Sequence, residues 1–269
     1  MISVIIPVYN GEKYLQNAFE SAMMQRVEKE IIIIDDASTD NLLEVFCHTY
    51  NMKPFEPADK TKKETVIYWK GKIRNVRVTI LKNTSNTGVG EARNIGVQAA
   101  EGEYVAFLDC DDLWTSDKLK RQLLCLNRTG GVLCNTAREL IKPDGTSTGV
   151  IIHTPKTITL KHLERTNCIN CSSVLVRRDV MLRFPMKHSD AHEDYYSWLK
   201  IFKEYPSAPG LDSPMLKYRL SPQSKSGNKV KSAIMTYKTY RYAGYGLLRT
   251  ILMMVSYICN GIKKYSKIS

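Results

Sequence analysis

No stretch of this 269-residue sequence supplies the roughly twenty uncharged apolar residues that a membrane-crossing helix needs. The opening run Met1–Pro7 is apolar but only strand length, and no basic residue precedes it, so a secretory signal is not expected. Cysteine is sparse: seven residues, odd in number and scattered, which speaks for reduced thiols in the cytoplasm rather than a disulfide framework. Cys168 and Cys171 form a single CxxC pair, without the second pair of a zinc ribbon, and read best as two thiols in a loop before a strand. There is no GxGxxG and no P-loop lysine, which removes the main support for a dinucleotide dehydrogenase or a P-loop phosphotransferase. No internal repeat occurs. What remains, 43% hydrophobic and 25% charged residues, is the balance of an ordinary globular chain.

The most informative absence is acid. From Ser213 to Ser269 there is no Asp or Glu, while eleven Lys and Arg occur there. The net charge of +12 therefore sits almost wholly in the tail, and the preceding 212 residues carry 28 basic against 27 acidic groups. Leu247, Leu248, Ile251, Leu252, Val255, Ile258 and Ile262 recur at helical spacing in the tail and predict an amphipathic helix over 247–262. Such a helix, rich in Tyr and flanked by Lys, suits the surface of an anionic membrane. A core-packing helix with a solvated basic face is the plainer alternative. Nucleic acid is not an expected partner, because the body is near neutral and non-specific binding would be weak. Tyr- and Leu-rich tail helices could also pair two chains as a homodimer.

Hydrophobic patterning predicts strands over 3–7, 30–35, 76–81 and 104–108, with helices over 12–24, 90–100 and 116–126 between or after them. A further helix, capped by Ser38 or Thr39, is expected to run to about His48. Strands and helices alternating at this spacing imply an α/β fold with right-handed crossovers and a mostly parallel central sheet. After Gly130 the pattern is mixed, with strands expected at 132–136 and 172–177 and a helix at 193–202. Residues 206–222 are rich in Pro and Ser and read as loop; 51–75 reads as an insertion, with a short extra strand at 66–69.

The polar groups that could do chemistry cluster just after strands, where ligands sit in such sheets. Asp109, Asp111 and Asp112 place three carboxylates within four residues, an arrangement that repels itself unless a cation is present. Hard oxygen ligands suit Mg²⁺ or Mn²⁺. The alternative is a solvated acidic turn in which Asp112 caps the next helix. Asp35 and Asp36 repeat the theme and could receive hydrogen bonds from a base or ribose. Asn86–Asn94 looks like a glycine-rich loop entering a helix, with Arg93 placed to face an anion. His188–Tyr196 packs five titratable groups into its first seven residues and offers a general base; the alternative is a helix start whose Glu193 and Asp194 complement the helix dipole.

Seven segments in order resemble a family 2 glycosyltransferase of the GT-A fold: SVIIPVYNGEKYL (3–15), EIIIIDDASTDN (30–41), NTGVGEARNIGV (86–97), GEYVAFLDCDDLW (102–114), CSSVLVRRDV (171–180), HEDYYSWLKI (192–201) and KYRLSPQSKS (217–226). The resemblance implies a GT-A domain over 1–226, Rossmann-like; the charge and apolar spacing of the tail make 227–269 a separate helical segment expected to associate with membrane. It implies that Pro7, Tyr9 and Asp36 line the base and ribose pocket, with Arg93 beside them and the diphosphate. Asp109 and Asp111 would be the pair at the metal (Mn²⁺ or Mg²⁺), Asp194 the catalytic base, and Arg219 part of a segment, reaching to Ser226, that closes over the diphosphate. Cys110 stands where a small Ser is frequent. The implied activity is inverting transfer from a nucleotide sugar, by default a UDP-sugar, to a glycan or lipid-linked acceptor. The implied place is the inner face of the cell membrane, in capsule or other surface polysaccharide synthesis. The rival readings are a nucleotide- or nucleic-acid-binding protein without transfer activity, and a nucleotidyltransferase, which would want a Gly/Arg/Lys phosphate loop near its N-terminus.

Overall fold

The computed structural model describes residues 1–54, 65–220 and 229–265. In chain order the elements are β1 (Ile2–Val8), α1 (Glu12–Met23), β2 (Lys29–Asp35), α2 (Leu42–Thr49), β3 (Thr65–Ile73), β4 (Val76–Asn83), α3 (Val89–Ala99), β5 (Tyr104–Phe107), β6 (Leu113–Trp114), α4 (Lys118–Thr129) and β7 (Leu133–Ile141). There follow β8 (Ser147–Ile152), β9 (Thr157–Thr159), α5 (Leu160–Arg165), a 3₁₀ turn (Cys171–Ser173), β10 (Val174–Arg177), α6 (Arg178–Arg183), α7 (Glu193–Glu204), β11 (Ser207–Arg219), α8 (Lys229–Tyr242) and α9 (Leu247–Tyr265).

Among the described residues one sheet runs in the order β3-β4-β2-β1-β5-β10-β7-β11-β6. Its first half, β4-β2-β1-β5, is parallel as expected, with Ile5 opposite both Ile32 and Phe107. From β5 onward β10 and β7 join antiparallel, and β11 lies parallel to β7. The run of four isoleucines in β2 divides by strand alternation: Ile32 and Ile34 enter one core with α3 and α7, while Ile31 and Ile33 enter the other with α1 and α2. Burying each such side chain contributes about 1.5–3 kcal/mol, which is why this strand is apolar on both faces.

Several local expectations change. The 206–222 stretch contains β11, a 13-residue strand, rather than a loop. Its pairing with β7 shifts register on either side of Pro214, so bulges accommodate the proline while Met215 and Leu216 pack into the interior. Ser38 and Thr39 do not cap α2, which begins at Leu42. The Ser38 hydroxyl instead accepts from the Asn10 backbone N–H at 3.0 Å, and the Thr39 N–H donates to Asn10 Oδ1 at 2.8 Å, tying the loop after β1 to the loop after β2. Asp112 does not cap a helix either. Its Oδ1 accepts from the backbone N–H of Arg219 at 3.0 Å, joining the acidic turn to the end of β11. Within 51–75, β3 is longer than the expected short strand and extends the sheet beyond β4, while 55–64 lie outside the described residues. The tail forms two helices, and Tyr240, Tyr245 and Met253 share a core with Trp198 of α7.

Candidate active site

The loops after β1, β2 and β5 open into a cleft of about 760 Å³ at the carboxyl edge of the parallel strands. The eight residues to which the family resemblance gives roles all line it: Pro7, Tyr9, Asp36, Arg93, Asp109, Asp111, Asp194 and Arg219; Asp35 and Asp112, also singled out from the sequence, do not. Their chemistry inside it differs from residue to residue.

Asp36 is buried and saturated. Its Oδ1 accepts from Asn83 Nδ2 at 2.7 Å, the Thr87 N–H at 2.9 Å and the Thr87 hydroxyl at 2.8 Å; its Oδ2 accepts from the Gly88 N–H at 2.8 Å. The glycine-rich loop therefore directs two of its backbone donors, from Thr87 and Gly88, at Asp36. Gly88 (φ 87°) takes a conformation that few side chains allow, which lets the loop turn from this carboxylate into α3. Tyr9 is half exposed at the rim, beside the buried Pro7 at the end of β1.

The α3 helix delivers Arg93 to the acidic turn, where Nη2 donates to Asp109 Oδ1 at 2.5 Å. Burial opposes the charge on Arg93, but Asp109 above all, with Cys171 and Asp194, outweighs it and holds the guanidinium pKa above its ordinary value. Asp111 has its pKa pushed up to about 6, first by burial and then by Asp109. Asp112 is raised well above the ordinary range, by burial and then by Asp111 and Asp109. The turn is thus short of positive charge even with Arg93 and Arg219 nearby. Among the described residues no three His, Cys, Asp or Glu side chains are grouped as a metal cage. Two carboxylates on one turn still fit Mg²⁺ or Mn²⁺, which keeps waters and takes substrate phosphates as further ligands.

Arg219 is held by backbone carbonyls: Nε donates to Asp111 O at 2.8 Å, and Nη1 to Lys142 O at 3.2 Å and Pro143 O at 2.9 Å. Its guanidinium lies 5.0 Å from the Tyr14 ring centroid. It braces the acidic turn; the segment 221–226 that would follow it lies outside the described residues.

Asp194 stands in the first turn of α7, its Oδ1 accepting from the Tyr195 N–H at 2.7 Å. Gly90 makes this placement work: a Cβ there would lie 2.9 Å from Glu193 Cγ, so only glycine lets α3 approach the start of α7 so closely. The histidines of the 188–196 cluster belong to no group of three potential metal ligands among the described residues; His188 stacks on Tyr242 and His192 is the N-cap of α7.

Other residues of the site were not legible. Ser172 accepts from the Asp109 N–H at 3.1 Å and so fixes the acidic turn. Ser232 and Tyr257, from α8 and α9, line the same cleft as Asp194. No spacing could signal these contacts, since they span 63 residues or join a tail to a body. Asn83 was detectable in principle, as a polar residue at the end of a strand that abuts Asp36.

The family model described as "Glycosyl transferase family 2" matches residues 3–52 and 58–182. The chain is 32% identical over 279 residues to an uncharacterized glycosyltransferase of Haemophilus influenzae, an alignment that covers 99% of this chain and 98% of the relative. It is 29% identical over 266 residues to the Escherichia coli enzyme UDP-Glc:alpha-D-GlcNAc-diphosphoundecaprenol beta-1,3-glucosyltransferase WfaP, covering 98% and 95%. Among solved structures, S. aureus TarS in complex with UDP-GlcNAc superposes with a TM-score of 0.67 at 16% identity, over 97% of this chain and 72% of that one. A Pyrobaculum calidifontis mannosyltransferase with GDP-Man and Mn²⁺ gives 0.63 at 15%, over 98% and 69%. At these identities the superpositions establish the fold, that of GT-A glycosyltransferases.

Proposed function

Since this chain belongs to glycosyl transferase family 2 and is a glycosyltransferase, we propose that it transfers a sugar from a UDP-sugar to a hydroxyl of a lipid-linked glycan, with inversion, in bacterial surface polysaccharide synthesis. The observation that carries this reading is the convergence of the Arg93–Asp109 pair, Asp111 and Asp194 on one cleft beside Pro7, Tyr9 and Asp36. The donor class is supported by WfaP, whose name gives a UDP-glucose donor and a diphosphoundecaprenol acceptor, and by TarS, solved with UDP-GlcNAc.

Asp36 organises the loop against which the nucleotide packs, and Arg93 lies at the diphosphate end. Asp109 and Asp111 would hold a divalent cation, Mn²⁺ or Mg²⁺, which as a Lewis acid neutralises the charge that develops on the departing diphosphate. Asp194 takes the proton of the acceptor hydroxyl as that oxygen attacks the anomeric carbon, and the diphosphate leaves with the bonding electrons.

The same reading places the protein peripherally on the inner face of the cell membrane, through its C-terminal segment. Among the described residues no helix is long and apolar enough to cross a membrane. Yet α9 turns Leu248, Ile251, Leu252, Val255 and Ile258 outward while Thr250 and Met253 face the body. A helix apolar on both sides is normally covered on both, and Ser213–Ser269 carry only basic charge, which favours an anionic lipid surface.

Thermal unfolding of wild type and Asp111→Ala, against UDP, GDP and dTDP sugars with and without Mn²⁺, tests the core of this. A rise in midpoint specific to UDP-sugars, dependent on Mn²⁺ and lost in the variant, is expected by mass action. A rise with another base series would reassign the donor, and a metal-independent rise would remove the cation from the mechanism.

A further inference from the structure

The segment that carries Asp194 is gripped from behind by α8. At its start, His188 has a left-handed backbone (φ 68°) and stacks on Tyr242 with ring centroids 4.0 Å apart. Asp190 accepts from Lys238 Nζ at 2.9 Å and from the Tyr242 hydroxyl at 3.0 Å. The His192 backbone N–H donates to Thr239 Oγ1 at 3.1 Å, and His192 Nε2 lies 3.2 Å from the Ser232 carbonyl oxygen and 3.3 Å from its hydroxyl. The Tyr195 and Tyr240 hydroxyls are 2.8 Å apart. Four positions between 188 and 195 thus meet one helix.

The buried face of α8 is unusual for a packing face. Ser232, Thr236, Thr239 and Tyr240 are all buried, alongside Met235. Hydroxyls cost free energy to bury unless each finds a partner, and a helix that needed only to dock would present aliphatic side chains there. Thr239 uses both capacities of its hydroxyl, donating to Met235 O at 2.8 Å and accepting from His192. Its side chain is wholly buried and does not line the cleft.

We propose that α8 belongs to the catalytic apparatus: Thr239, with Ser232, positions His192 and through it the first turn of α7, so that Asp194 is aimed at the acceptor hydroxyl. The inference rests on Asp194 being the base. On it, the C-terminal segment is a working part of the site as well as an anchor, and Thr239 is a positioning residue that touches no substrate.

The full-length chain is assayed as Thr239→Val, Thr239→Ser and Ser232→Ala, with Asp194→Asn as control, measuring kcat, donor KM, the pH–rate profile and the thermal midpoint. Misaiming a reacting group by about an ångström costs up to about 10²-fold in rate. Thr239→Val is expected to lose about tenfold or more in kcat with donor KM within twofold, and to displace the acidic limb of the profile. Thr239→Ser restores the hydroxyl and should restore the rate. Ser232→Ala should give a smaller loss of the same kind. Unchanged kcat in Thr239→Val, or a loss that Thr239→Ser shares, or one that follows only the fall in midpoint, overturns the proposal. If Asp194→Asn turns over normally, the base assignment falls and the proposal with it. A slow Asp194→Asn beside a fast Thr239→Val overturns the positioning role alone.

Discussion

Arg93 and Asp109 meet at 2.5 Å, with the Arg93 side chain 7% exposed and that of Asp109 28% exposed. The pair joins α3 to the turn after β5 and holds the acidic turn in place.

Replacing Arg93 by Met leaves Asp109 without its partner. Breaking a buried pair from one side costs 3–5 kcal/mol, and the partial exposure of Asp109 points to the low end, about 3 kcal/mol. Adding Asp109→Asn should return part of this loss, because no uncompensated charge remains. Urea unfolding of both variants decides it; equal losses in the single and double variants would show that the pair does not carry the stability.

Asp194→Asn keeps the shape of the first turn of α7 but cannot take a proton. General-base catalysis contributes about 10²–10⁴-fold, so kcat should fall at least 10²-fold while UDP-sugar binding, read by calorimetry, stays within about threefold. Near-normal turnover would move the base elsewhere.

Two glycines of α3 should respond differently. A Cβ at Gly96 would lie 2.5 Å from Ile5 Cγ2 and 2.9 Å from Ile34 Cδ1, inside the core, so Gly96→Ala should cost about 1–3 kcal/mol of stability. At Gly90 the clash is with the Glu193 side chain. Gly90→Ala should cost less stability but more kcat, since Glu193 precedes Asp194. Melting curves and turnover measured together separate the two; the reverse ranking would contradict the geometry.

Lys118 is fully buried, its ammonium donating to Gln122 Oε1 at 2.8 Å and lying 4.1 Å from the Trp114 ring centroid. Burial lowers its pKa to about 7, against 10.5 for a free lysine. Between those two values the unfolded chain holds the extra proton, so stability rises with pH across that window, by up to about 1.4 kcal/mol per unit. Below about pH 7 both states are protonated and this dependence vanishes. Lys118→Met should remove this contribution, so that wild type gains stability on the variant as pH rises from 7.5 to 9.5 in urea unfolding; a difference between the two that stays constant with pH would refute the assignment.

The outward stripe of α9 predicts lipid binding. Leu248→Glu with Leu252→Glu should release the protein from vesicles containing anionic lipid while leaving its melting point near wild type, because both side chains are exposed. Flotation of the variant equal to wild type would count against the membrane reading, and loss of a dimer in sedimentation would mark the stripe as a contact between copies.

Much of this was readable in advance. The unbroken apolar run of EIIIID, the carboxylates after Phe107 and the apolar recurrence in 247–262 are local patterns, and patterning within ten or fifteen residues reports local structure well. The failures also have local causes. Pro209 and Pro214 made β11 read as loop, because proline forbids a regular ladder and the bulges that excuse it depend on β7. Ser38 and Thr39 carried a capping signature, but Asn10, 28 and 29 residues away, took their hydrogen bonds.

The amino-acid sequence by itself determined the parallel half of the sheet, the acidic clusters after the strands and the charge of the tail, since each depends on residue type and short-range spacing; the roles of Pro7, Tyr9, Asp194 and Arg219 came from the resemblance of ordered segments to a family. Only the tertiary structure decided what those residues do to one another. Folding brings Asn83, Thr87 and Gly88 onto Asp36 across 47 to 52 residues and closes its carboxylate. It likewise sets Thr239 against His192, 47 residues away, and turns the stripe of α9 outward. The physical reason is that hydrogen bonds and burial act over a few ångströms, and chain distance says nothing about which groups will come within that range.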